Sequence, residues 1–202
     1  MTFSATLAPV FNRGTPPDDF LTELVAWSKT ADDLIFAPND NNADIYSLIA
    51  PKLADADLDL NRFVWRGGIP QRKAAMMEAM RVHAGFESSW NWNEGVDTTN
   101  QTSMSQIVCQ ETGVFQVSAN SMNFDESLPA CVDASLGTHD PQTFIDGMKS
   151  NHALAIEYYA RLVRFSVRWA GPLMGSPAPV ARYVSKAAMA EFQALIGAAS
   201  VS

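Results

Sequence analysis

The most constraining stretch of this sequence lies between residues 67 and 89. Gly67-Gly68-Ile69-Pro70 interrupts whatever precedes it, and a proline at the first helical position opens a helix without losing a hydrogen bond. Ala, Met, Glu, Gln, Arg and Lys dominate the residues that follow, so the chain is predicted helical from about 70 to 88. Met76, Met80, Ala84 and Glu87 recur at near-helical spacing and share one face. The apolar stripe thus ends in a carboxylate, and a Glu withdrawn from water is costly unless it has work to do.

The flanking sequence is also mostly helical in pattern. Asp18 and Asp19 follow Pro16-Pro17 and are placed to cap a helix carrying Phe20, Leu21, Leu24, Val25 and Trp27. A polar break at 39–42 precedes a short apolar segment from Ile45 to Ile49. Thr143 to Trp169 reads as one or two helices, with Phe144, Met148, Leu154, Ile156, Tyr159, Leu162, Val163 and Phe165 facing inward. Gly171-Pro172 stops that run, and a last helix is expected from Ala178 to Ile196, before a small-residue tail. Residues 90–110 are polar and irregular, as functional loops in small domains often are. Gly113 to Val117 is a short apolar segment with the character of a strand or a buried helical entry. The acidic run at 53–60 resembles a calcium loop only superficially. Leu60 stands where that loop needs glycine, and Arg66 where it needs a bidentate Glu.

The expected fold is therefore mainly α with minor β content. Residues 1–66 form an N-terminal helical extension packed on the core, and residues 67–202 form the principal domain. At 202 residues and 47% hydrophobic composition, one domain needs no metal or disulfide to fold. No apolar run reaches the ~20 residues of a membrane span, and the first residues lack the basic-then-apolar pattern of a secretory leader. Cys109 and Cys131 lack metal-ligand spacing and are either one disulfide or two thiols. No metal or cofactor is called for. The net charge of −8 disfavours nucleic acid, yet it is unevenly placed. Residues 1–60 carry −7, 61–93 carry +3, 94–147 carry −8 with no base, and 148–202 carry +4.

Three separated fragments then align. Glu87-Ser88 closes the central helix, Gly113-Val114-Phe115-Gln116 follows the polar loop, and Asn151 and Tyr158 lie seven apart on a later helix. In that order they resemble the lysozyme-like superfamily, specifically lytic transglycosylases and goose-type lysozymes. Ala155 stands where those families usually have Gly, His152 where they have Ile, and Arg168-Trp169 where they have Tyr-Asn. The resemblance covers residues 70–172 and implies a lysozyme-like helical domain. It also implies a peptidoglycan-degrading muramidase cleaving the MurNAc–GlcNAc β-1,4 bond, acting in the periplasm or on the cell wall. An antibacterial effector, paired with an immunity protein, or a phage lysis enzyme would fit that activity.

The chemistry asks for a carboxylic acid that stays protonated near neutral pH, and desolvation supplies one. Glu87 is the candidate acid; a neutral His83, one turn earlier, leaves that role intact. Hydrolysis usually takes a second carboxylate, for which Asp97 and Glu111 are the candidates, followed by Glu94. Ser118 and Ile107 occupy positions where goose-type enzymes carry Asp, which favours single-carboxylate transglycosylase chemistry. Ser105, Phe115, Gln116, Asn120 and Tyr158 are the candidate substrate-binding residues, with Trp90 and Trp92 as further aromatics. A cysteine hydrolase using Cys109 with His139 or His152 is a rival enzyme reading. A non-catalytic glycan- or protein-binding domain is the alternative outside enzymes.

Overall fold

A computed structural model describes residues 2–38, 45–53, 58–59, 64–65, 67–96, 98–99, 101–175 and 180–197. The polar break at 39–42, most of the acidic run at 53–60, Asp97 and the tail beyond 197 lie outside them, as does Ala178. Eight α-helices are described. They are α1 (Asp18–Thr30), α2 (Ile45–Ile49), α3 (Ile69–Ser88) and α4 (Gln101–Ser105), then α5 (Ser127–Leu136), α6 (Pro141–Ser150), α7 (His152–Phe165) and α8 (Lys186–Gly197). The chain is mainly helical. Its described strands are a two-residue antiparallel ladder pairing Leu58 with Trp65 and Asp59 with Val64.

α3 begins where the Gly-Gly-Ile-Pro punctuation places it, with extended Gly68 as its cap and Pro70 in its first turn. A one-faced apolar stripe, however, understates its position. Every residue from Arg72 to Gly85 is buried, because α1, α2, α7 and α8 all pack against it, α8 most extensively. Its charged side chains survive burial by being paired and hydrogen-bonded. Arg81 grips Glu78 through two bonds of 2.7 and 2.8 Å and donates a third to the Ala8 carbonyl at 2.9 Å. Glu78 also accepts the Ser185 N–H at 2.7 Å. Lys73 donates to the Ser28 carbonyl and pairs with Asp33 at 2.9 Å, while Arg72 donates to the Phe36 carbonyl and lies over the Tyr46 ring. These polar residues tie both ends of the chain to the central helix. A single apolar core runs from Phe3 to Phe192, and its members between Phe3 and Ala50 bring the N-terminal segment into it.

α1 already includes Asp18, so Pro17 rather than Asp18 or Asp19 is the cap, without a side-chain bond. Asp18 and Asp19 instead sit in the first turn, where carboxylates favour the helix dipole. The run from 143 to 169 resolves into two helices and a 3-10 turn (Val167–Trp169). Asp140 caps α6 through the N–H groups of Gln142 and Thr143, and Asn151 breaks the run by capping α7 through Leu154 N–H at 3.1 Å. α8 begins at Lys186, later than hydrophobicity suggested, since residues 181–183 form a turn before it. No helix among the described residues is long and apolar enough to cross a membrane.

Candidate active site

The end of α3 builds the site. Ser89 and Trp90 both take left-handed backbone conformations (φ 53° and 62°), which turn the chain sharply after Ser88. The Ser88 hydroxyl donates to the Val114 carbonyl at 2.8 Å and accepts the Asn91 N–H at 3.1 Å, stapling the helix end to the segment at 113–116. That segment is neither strand nor helix. Thr112 and Val117 exchange backbone bonds of 2.9 and 3.2 Å around a tight turn. Gly113 (φ 70°) is required there, because a Cβ would stand 2.8 Å from the Met148 carbonyl oxygen. Gln116 accepts a strained left-handed geometry (φ 46°), and its amide donates to the Gly113 carbonyl at 3.0 Å.

Glu87, adjacent to the Ser88 staple, is 34% exposed and enters a cleft of about 210 Å³. His83, Glu111, Phe115, Gln116, Tyr159 and Gly171 line the same cleft. Burial raises the Glu87 carboxyl above the ordinary range, repulsion from Glu111 raises it further, and Arg13 opposes both. Arg13 arrives from the N-terminal segment, its guanidinium 4.3 Å over the Phe86 ring. His83 Nε2 lies 3.8 Å from Glu87 Oε1, beyond hydrogen-bonding reach. Its ring stacks on Tyr159 with centroids 4.6 Å apart and leans on Phe115 at 6.4 Å. Burial pushes the imidazole down to about 4, so it is neutral beside the acid. The backbone carbonyls of Phe115 and Ala170 offset part of that shift, but Nδ1 has no partner in hydrogen-bonding geometry. Gly171 (φ 51°) forms the opposite wall, where a Cβ would fall 2.8 Å from His83 Nδ1 and 3.1 Å from Glu87 Oε1.

A second cavity of about 430 Å³ shares Glu87, Glu111 and Gln116 with the first and extends to Glu94 and Thr98. The arrangement therefore offers a half-desolvated carboxyl that holds its proton to higher pH than usual, a second carboxylate and a primary amide. Such a set can protonate a leaving oxygen and stabilise the positive charge that follows.

Glu87, Glu111, Phe115 and Gln116 are brought together, and Glu94 borders the second cavity, hydrogen-bonded by Asn91 at 2.9 Å. Asp97 lies outside the described residues. Ser105 does not join them: it is exposed at the end of α4, with its hydroxyl on the Thr102 carbonyl. Asn120 is exposed beside a separate cavity containing His139, bonded to Ser118 and to Cys109 Sγ. Tyr158 is buried behind the cleft, its hydroxyl 2.5 Å from that of Ser121, which does line it. Tyr159 takes the lining position instead, because successive residues on a helix diverge by ~100°. Trp90 and Trp92 belong to the core. Trp90 donates to the Arg81 carbonyl, and Trp92 stacks on His152 at 3.8 Å beside Phe20.

Arg168 and Trp169 also line the cleft, and the only sequence signal for them was their place just before Gly171-Pro172. Cys109 and Cys131 are both free thiols, and burial pushes Cys131 up to about 11. Among the described residues no hydrogen bond links Cys109 to a histidine: His139 pairs with Asp133, and His152 with Glu23. The described residues contain no group of three or more His, Cys, Asp or Glu side chains able to hold a metal ion. Comparison with family models, curated proteins and solved structures returns no match to this chain.

Proposed function

We propose that this chain is a muramidase-type enzyme of lysozyme-like fold that cleaves the MurNAc–GlcNAc β-1,4 bond of peptidoglycan. The observation that carries the reading is Glu87: a carboxyl with raised proton affinity, half-buried in a cleft with Glu111 and Gln116 beside it. The association of the three fragments adds support. Ser88 after the acid is bonded to the 113–116 turn, and the helix capped by Asn151 presents Tyr159 to the same cleft while Tyr158 braces Ser121 behind it.

In this mechanism protonated Glu87 donates to the glycosidic oxygen as the bond to the anomeric carbon breaks. The resulting carboxylate then accepts a proton from the attacking group. That group is water in a hydrolase, and the sugar's own C6 hydroxyl in a lytic transglycosylase. Glu111 supplies negative charge near the developing oxocarbenium ion or orients the water. His83, being neutral, adds no positive charge beside the acid, and protonated Tyr159 covers its ring.

The test is release of soluble muropeptides from purified sacculi. Wild-type protein is expected to release them, and Glu87→Gln to lower the rate by 100-fold or more, in line with loss of about 10²–10⁴ for general acid catalysis. A Glu87→Gln protein working at the wild-type rate overturns the assignment. Mass spectrometry of the products separates a 1,6-anhydro end from a reducing end. With this substrate the protein acts in the periplasm or on the wall. An inhibitor protecting the producing cell, an immunity protein in an effector setting, would occupy the Glu87 cleft.

A further inference from the structure

Three large apolar side chains, Phe124, Phe165 and Trp169, remain 36–38% exposed, and Phe165 and Trp169 each contact Phe124. Phe124 is the hub, its ring centroid 6.1 Å from Phe165 and 5.2 Å from Trp169. Each comes from the end of a different element: the 3-10 turn at Ala119–Phe124, α7, and the 3-10 turn at Val167–Trp169. The pattern of α7 would place Phe165 in the core, yet it stands at the helix end against Phe124. A cluster of exposed rings marks a contact surface more often than an isolated one does. This cluster is continuous with the cleft, because Trp169 lines the cavity that holds Glu87.

Arg168 lines that cavity beside Trp169. Its backbone N–H donates to the Ser166 hydroxyl, but its guanidinium has no ion pair or hydrogen bond among the described residues. Among the described residues lining this cleft it is the only cation, since His83 is neutral. An unpaired guanidinium next to an exposed aromatic face, in a cleft that also holds two carboxylates, is an arrangement for a ligand that is part apolar and part anionic.

We infer that Phe124, Phe165 and Trp169 form a stacking platform for one pyranose ring, and that Arg168 at its edge pairs with a carboxylate carried on the saccharide. The C–H face of a sugar ring is apolar and slightly positive, and an aromatic π face is slightly negative, so the two stack. A guanidinium offers a planar fork that matches a carboxylate. The cleft thereby prefers an acidic glycan to a neutral one of the same length. The carboxylate is the lactyl acid of a peptide-free strand or an acid of the attached stem peptide. This rests on reading the cleft as a glycan site, but not on turnover there.

Binding of three probes to the Glu87→Gln protein tests it by titration calorimetry: chitotetraose, a peptide-free GlcNAc–MurNAc tetrasaccharide, and the same tetrasaccharide carrying stem peptides. Trp169→Ala and Phe124→Ala are each expected to weaken all three about tenfold, with Trp169→Phe recovering part of the loss. Arg168→Gln is expected to leave chitotetraose unchanged and to weaken a carboxylate-bearing probe roughly tenfold or more, with partial recovery in Arg168→Lys. Loss with the peptide-free probe identifies the lactyl acid; loss confined to the peptide-bearing probe identifies the stem peptide. Unchanged affinities in both aromatic variants overturn the platform, as does failure of the Glu87→Gln protein to bind any probe. Equal weakening of chitotetraose by Arg168→Gln overturns the carboxylate pairing. The exposed rings can be cut back without unfolding the core, which a thermal melt verifies. Platform-dependent binding together with no muropeptide release by wild type would refute the proposed reaction while leaving this inference standing.

Discussion

Replacing Gly171 with Ala probes the cleft wall with a single methyl group. Two penalties follow from the geometry. Residue 171 sits at φ 51°, and an L-residue held in the left-handed region costs about 1–2 kcal/mol. The added Cβ would also lie 2.8 and 2.9 Å from His83 Nδ1 and Cε1 and 3.1 Å from Glu87 Oε1. His83 cannot swing away, because Tyr159 stacks on one side and Phe115 leans on its ring. Overpacking of that kind costs about 1–3 kcal/mol. Together the loss is roughly 2–5 kcal/mol, or a fall in melting temperature of roughly 4–20 °C for a chain of this size. Gly137→Ala is the reference. It has a similar left-handed backbone (φ 77°) with nothing within 4 Å of its Cβ, so it should show the conformational cost alone. The assay is thermal unfolding of all three proteins, with sacculus lysis measured below the lowest melting point. Gly171→Ala should be the least stable and should lose lytic rate, whereas Gly137→Ala should keep it. If Gly171→Ala is no less stable than Gly137→Ala and lyses sacculi like wild type, the tight packing of Gly171 on His83 and Glu87 is wrong.

Three further outcomes are expected. Since Glu87 must be protonated to act, the rate should fall as pH rises through its raised pKa; Glu111→Gln removes a repulsion and should move that alkaline limb to lower pH, while Arg13→Gln should move it to higher pH. Identical pH–rate profiles for the two variants would exclude this electrostatic assignment. His83, depressed to about 4 from its ordinary 6.5, takes up a proton more readily when unfolded, so its contribution to stability is full above pH 6.5 and declines as pH falls towards 4. That amounts to about 3 kcal/mol, and His83→Phe should flatten the urea-measured stability profile over this window. Arg81→Ala strands buried Glu78 and frees the Ala8 carbonyl, and should cost about 3–5 kcal/mol in denaturant unfolding. A cost under 1 kcal/mol would show that the pair does not tether the chain ends.

The parts of this protein legible in its sequence are those set by short-range chemistry. Gly68 and Pro70 start α3, and helix formers carry it to a Glu-Ser end, because capping and propensity act within a few residues. The same locality makes α1, α6 and α7 recognisable to within a few positions. The approach of Phe115 and Gln116 to Glu87 was expected from the order of the fragments, and Glu111 only as one of several loop carboxylates; the distances were not legible. Other features depend on which faces meet. α3 reads as having one apolar stripe, but its Arg72 and Lys73 find partners only after distant segments close around it, and the Glu78–Arg81 pair is completed by Ala8 and Ser185. Trp90 and Trp92 look like cleft aromatics and are core, because the reversal at Ser89 folds them back. Tyr159 rather than Tyr158 faces the cleft, a difference of one residue along α7 that only the rotation of the packed helix decides. Arg13, Arg168 and Trp169 reach the site from opposite ends of the chain. Propensity and spacing therefore determined where α1, α3, α6 and α7 lie and which carboxylate ends the central one, but not α4 and α5, which sit in stretches that read as loops. Tertiary packing alone decided how that carboxylate is desolvated and which charges surround it, since burial and Coulomb energy depend on distance in space.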